Sequence, residues 1–170
     1  MTAAAVHMVC GAVGAGKTTY ALGLCDETGG VHLSIDDWMT RLFGKDAPRP
    51  PQWDWVAERL RRCEDQMALV AFQCVRRGVS AILDQSFLRQ EDRSRLAAAA
   101  AGLPIRLHVL DVPAEERWRR VVGRNAQKGQ TFSLEVSRAM FDFVERLWQP
   151  PTAAEMVALR GVRVSAQAPY

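Results

Sequence analysis

Short apolar runs recur along the chain at residues 5–10, 31–34, 79–83, 105–110 and 162–164. Apolar and polar residues scarcely alternate within them, as expected of strands covered on both faces in a parallel sheet. Between the runs the apolar period lengthens to three and four. It is clearest over 52–76, where Trp53, Val56, Leu60, Cys63, Met67, Val70 and Cys74 share one face and predict a packing helix. Weaker helical patterns cover 18–25, 37–43, 89–101, 113–128 and 133–147. Gly29-Gly30, the stretch 44–51, residues 102–104 and Pro150-Pro151 break them. Strand and helix in alternation predict a three-layer α/β architecture around a five-stranded parallel sheet. There are no repeats, and 44–51 reads as a surface loop, so residues 1–170 are expected to form a single domain.

Composition narrows the partners. The formal net charge of +3 suits an anionic ligand but is too small and dispersed to imply nucleic acid. Cys10, Cys25, Cys63 and Cys74 form no paired motif, so they read as reduced thiols rather than a zinc site or disulfide framework. His7, His32 and His108 fall in predicted strands without metal-ligand spacing and read as structural. Residues 1–9 lack the basic start of a signal peptide, and no apolar run reaches the roughly 18 residues of a membrane span. The expected location is the cytoplasm, with no membrane partner.

The chemistry is densest where the first strand ends. Gly11-Ala12-Val13-Gly14-Ala15-Gly16-Lys17-Thr18 follows a strand and opens a helix, the context that gives the P-loop spelling its mechanical meaning. The glycines let successive backbone N–H groups from Val13, Gly14, Ala15 and Gly16 turn inward, and the helix dipole adds positive potential. Lys17 is placed for the β- and γ-phosphates, the Thr18 hydroxyl for Mg²⁺ and Thr19 for the α-phosphate. The expected cofactors are ATP and Mg²⁺.

Two carboxylates close other strands. Ser34-Ile35-Asp36-Asp37-Trp38 brings acids to the carboxyl edge of the sheet, where an acceptor would sit. Asp36 there could take the proton of an attacking hydroxyl, or it and Asp37 could cap the following helix. Asp84 ends the third run, as in a Walker B strand. It could hold Mg²⁺ through water, orient Lys17 or the acceptor, or serve structure alone. Farther on, Arg117, Arg120, Arg124 and Lys128 fall within about 80° on a helical wheel. That strip could close over a triphosphate or remain a solvated face paired with Glu115 and Glu116. As a lid, spanning roughly 114–132, it would bring Arg124 and Lys128 to the transferring group.

These landmarks resemble the small P-loop kinases that include polynucleotide 5′-hydroxyl kinases, chloramphenicol phosphotransferase and zeta-type toxins. The likeness rests on residues 11–19, Ser34-Ile35-Asp36-Asp37-Trp38, Leu83-Asp84-Gln85-Ser86, Leu110-Asp111-Val112-Pro113 and Arg124-Asn125-Ala126-Gln127-Lys128-Gly129. It is greatest to the phage-type polynucleotide kinase domain. That resemblance implies Asp36 as general base, Asp84 as an acceptor-side aspartate, and Arg124 as a lid arginine, with Lys128 at the second lid position. Met39 stands where that family holds a nucleic-acid phosphate with arginine, and Lys128 lacks arginine's bidentate fork.

The catalytic set is then Asp36, Lys17, Arg124 and Lys128; Arg120 joins Arg124 on the nucleotide, and Asp36, Asp37, Trp38 and Asp84 face the acceptor. Trp53 and Trp55 could join Trp38 in lining its pocket or serve packing. The expected activity is an ATP- and Mg²⁺-dependent kinase acting on a hydroxyl of a small molecule. The alternatives are a polynucleotide 5′-hydroxyl kinase, which Met39 disfavours, and a nucleotide-dependent regulatory ATPase. The guanine-reading NKxD motif is absent, which disfavours a GTPase.

Overall fold

The computed structural model describes residues 3–50, 52–127 and 135–164. Five strands, β1 (Val6–Cys10), β2 (Val31–Ser34), β3 (Ala81–Asp84), β4 (Ile105–Leu110) and β5 (Val162–Val164), pair in the order β2-β3-β1-β4-β5. Every pair is parallel, with Val9 beside both Asp84 and His108. β1 and β3 are buried throughout, which accounts for their unbroken apolar character.

Helices fill both faces: α1 (Lys17–Thr28), α2 (Ile35–Phe43), α3 (Trp53–Arg76), α4 (Gln90–Ala99), α5 (Ala114–Gln127), α6 (Arg138–Leu147) and α7 (Ala153–Ala158). On one face Val6, Met8, Leu83 and Leu107 pack against Met67, Phe72 and Val75 of α3, with Leu96 of α4 in the same cluster. On the other, Val9, Ile82 and Leu110 pack against Ala21 and Leu24 of α1. A third cluster joins Val121 of α5 to Val136 and Phe141, with Val13 against it.

The expected strands stand, with β3 running on to Asp84. α1 extends to Thr28, where Gly29 in the left-handed region ends it. The buried face of α3 differs from the expected stripe. Cys63 and Met67 are buried as foreseen, but Ala71, Phe72 and Val75 complete the face while Trp53 is 66% exposed. The first turns of α3 instead lean on α2 and α6, where Trp55 meets Phe43 and Trp53 meets Phe143.

α6 begins at Arg138, later than the expected 133, because Ser137 caps it by accepting from Met140 N. α7 was not foreseen, although its signal is local: Thr152 and Glu155 form a capping box directly after Pro150-Pro151. The four cysteines are free, and no described helix is long and apolar enough to cross a membrane.

Candidate functional site

The chain must turn sharply as β1 hands over to α1, and the loop residues are chosen for that turn. Gly14 and Gly16 lie at φ 81° and 91°, where a side chain would be strained. A Cβ on Gly14 would also come within 2.5 Å of the Arg117 carbonyl, so α5 presses its backbone directly on the loop. α1 opens on Gly16 with no side-chain cap, which leaves its first-turn amides facing the cradle.

Lys17 donates from Nζ to Ala12 O at 3.3 Å. Burial pulls its pKa down, while Asp84 and then Asp36 pull it back up. Asp84 at the end of β3 and Asp36 in the first turn of α2 therefore lie within electrostatic reach of the P-loop lysine. Asp84 is buried and receives His32 Nε2 at Oδ2, 3.2 Å away. His32, read from sequence as merely structural, thus fixes the acid that faces the loop. Nothing local announced this, because 52 positions separate the partners.

Asp36 and Asp37 occupy the exposed first turn of α2. Neither caps it: Ser34 does, accepting from Asp37 N at 3.3 Å. Asp37 accepts from Arg41 Nε at 2.8 Å on the surface. Trp38 is half-buried and packs on the sheet core beside Met39. Trp55 stacks under Arg59, whose guanidinium lies 3.9 Å from its ring centre.

The cationic strip divides. Arg117 does not reach toward a ligand. It is 4% exposed, donates to Val112 O at 2.8 Å and Val13 O at 3.2 Å, and pairs with Glu145 at 2.7 and 2.8 Å. Its charge was expected on the open strip; the tertiary fold spends it on tying α6, the base of α5 and the phosphate loop together. Arg120 pairs with Glu116 and approaches Ala15 O at 3.5 Å, beside Gly16.

Arg124 Nε is buried without a hydrogen-bond partner among the described residues, and its charge depresses the Lys17 pKa. One turn past Arg120 on the same helix, it is an unpaired donor near the loop, as an anion site requires. Asn125 ties the end of α5 to Val136 through two hydrogen bonds of 2.9 and 3.2 Å. Lys128 lies outside the described residues.

Thr18 and Asp84 offer hard oxygen donors on the phosphate-loop side of the sheet, a set that suits Mg²⁺ held jointly with nucleotide phosphates. No cluster of three or more His, Cys, Asp or Glu side chains among the described residues could hold a metal by protein ligands alone.

The family model described as an AAA domain matches residues 6–147. No curated protein matches the chain in sequence. Among solved structures, a sugar kinase from Janibacter sp. HTCC2649 is 23% identical with a TM-score of 0.69, covering 98% of this chain and 87% of that one. A gluconokinase from Sinorhizobium meliloti 1021 is 15% identical with a TM-score of 0.64, over 99% and 86%. Kti12 from Chaetomium thermophilum, solved with ADP-AlF3, is 14% identical with a TM-score of 0.69, over 94% and 88%. At these identities the likeness is one of fold, the three-layer P-loop NTPase architecture.

Proposed function

The chain belongs to the AAA domain family over residues 6–147, and from that membership we propose that it is a phosphotransferase moving the γ-phosphate of ATP to a hydroxyl of a small molecule. The observation that carries this reading is the placement of two carboxylates, Asp84 at the end of β3 and Asp36 in the first turn of α2, within electrostatic reach of Lys17. A nucleotide switch needs a lysine and a metal-side acid; a transferase also needs a carboxylate beside the phosphates to receive the acceptor's proton.

In this reading the loop amides and Lys17 hold the β- and γ-phosphates, Thr19 meets the α-phosphate, and Thr18 and Asp84 hold Mg²⁺. When bound, Mg²⁺ neutralises phosphate charge. Asp36 takes the hydroxyl proton as the acceptor oxygen bonds to the γ-phosphorus; the bond from that phosphorus to the β–γ bridging oxygen breaks, and ADP leaves with its electron pair. Arg124, Arg120 and Lys128 neutralise the charge spread over the transferring group. Trp38 and Asp37 border the acceptor.

Met39 occupies packing space against the core, which gives a nucleic-acid phosphate no cation at that position. The small-molecule acceptor is therefore preferred, and the sugar kinase and gluconokinase folds place sugars and sugar acids first in a screen.

The test is such a screen with γ-labelled ATP, including sugars, sugar acids, nucleosides, antibiotics and 5′-hydroxyl oligonucleotides. Label should pass to a small hydroxyl compound, and Asp36→Asn should cut transfer at least a hundredfold with ATP affinity nearly intact. Label on oligonucleotides alone would favour the polynucleotide kinase. Hydrolysis without transfer, rising only with a protein partner, would favour the regulatory ATPase.

A further inference from the structure

Gln85 follows Asp84 directly but serves the opposite face of the sheet. Its side chain is 6% exposed, and Oε1 has no hydrogen-bond partner among the described residues. A buried acceptor without a donor carries the full cost of its desolvation, so the surroundings of this oxygen bear on what satisfies it.

Gln85 lines a cavity of about 230 Å³ between α3 and α4. Ala68, Phe72 and Leu96 give the cavity an apolar wall. Its charged lining is unbalanced: the carboxylates of Glu64, Asp65 and Asp92 against the single guanidinium of Arg95, a formal sum of −2 from three acids and one base. Arg95 bridges the two helices, reaching Glu64 at 2.9 Å and Asp92 at 3.5 Å. Asp65 turns to Arg61 at 3.3 Å. Burial pushes the Glu64 carboxyl up; Arg95 opposes this and Asp92 adds to it. The cavity thus combines an apolar body, an acceptor in want of a donor, and three carboxylates set against the two guanidinium groups of Arg95 and Arg61.

We propose that this cavity binds a small primary ammonium compound, whose N–H groups donate to Gln85 Oε1 and the Glu64 carboxylate while a short alkyl chain lies against Phe72 and Leu96. An anion would face the excess carboxylates, and a purely apolar guest would leave Oε1 unpaired. The site lies outside the phosphate cradle, and the proposal does not depend on the phosphotransferase reading. It is nonetheless connected to the cradle: Ser86, the next residue, accepts from Gly11 N at 3.3 Å. An occupant held by Gln85 therefore holds the segment that carries Asp84 and touches the first glycine of the loop.

The experiment titrates n-butylammonium chloride into the full chain labelled for NMR, following the Leu96 methyls and the Gln85 side-chain amide. Saturable shifts at both positions are expected, with 1-butanol and butanoate each at least tenfold weaker. Gln85→Leu should weaken butylammonium binding about tenfold. Asp92→Asn, a change at the cavity rim, should weaken it at least threefold and serves even where Gln85→Leu fails to fold. Absence of saturation at any concentration, the result if water alone fills the cavity, overturns the proposal. So does equal binding of 1-butanol, or binding indifferent to both substitutions.

Discussion

Acid should destabilise this fold well above the range in which carboxylates titrate, because two histidines are buried neutral beneath α1. His7 Nδ1 and His108 Nε2 lie 2.9 Å apart, and His108 Nδ1 lies 2.8 Å from the Tyr20 hydroxyl. Burial, helped by Arg106, lowers the His7 pKa from 6.5 to about 4. Burial, then His7 and Arg106, lowers that of His108 to about 4 as well. Both folded-state pKa values fall below the unfolded one, so between pH 6.5 and 4 the unfolded chain binds more protons. Stability contributed by the pair is complete above that window and is lost as pH falls through it. Going from pH 7 to pH 5, each histidine costs about 2 kcal/mol, with about 4 kcal/mol as a ceiling for the coupled pair.

Urea unfolding at several pH values from 7.5 to 5 reads this directly. The double variant His7→Leu/His108→Leu should lose most of the slope, whatever its absolute stability. Glu64 acts in the opposite sense, since its raised pKa favours the folded state on mild acidification, and it stays in the variant as an internal reference. Wild-type stability that is flat between pH 7 and 5, or a slope that survives in the double variant, would refute the reasoning.

Two further outcomes follow from side chains that act through others. Arg117→Met leaves Glu145 and the carbonyls of Val13 and Val112 without their donor, so it should cost about 3–5 kcal/mol of stability; calorimetry and nucleotide titration below the melting transition should show ATP affinity falling with it, because Val13 belongs to the cradle. His32→Ala frees Asp84 Oδ2, and the concentration of Mg²⁺ needed to half-saturate nucleotide binding should rise at least threefold with metal-free nucleotide affinity unchanged, while His32→Asn restores part of the loss; equal weakening with and without the metal would show that His32 serves packing alone.

Along this chain, short-range chemistry is what the sequence by itself determined. β1 and β3 are legible because buried parallel strands write themselves as unbroken apolar runs, whereas the edge strands β2 and β5 are partly exposed and show only as short β-branched stretches between breaks. The phosphate loop is legible because its work is done by backbone conformation, which glycine spacing specifies within eight residues. Asp36 and Asp84 are legible as strand-end carboxylates, since position on a parallel sheet fixes which edge they reach. Even α7 was written locally, in the capping box of Thr152 and Glu155.

What only the tertiary structure decided are the partners. One helical wheel presents Arg117, Arg120 and Arg124 as equals, yet Arg117 is turned inward by Glu145, 28 positions away, while Arg124 Nε finds no acceptor among the described residues. His7 and His108, 101 positions apart, meet because β1 and β4 are neighbours. His32 becomes the companion of Asp84 because β2 lies against β3, and Gln85 opens on a cavity because α3 and α4 stand apart over the same face. Buried polar atoms must find partners, and in a sheet whose neighbours are distant in sequence the partner is chosen by strand order.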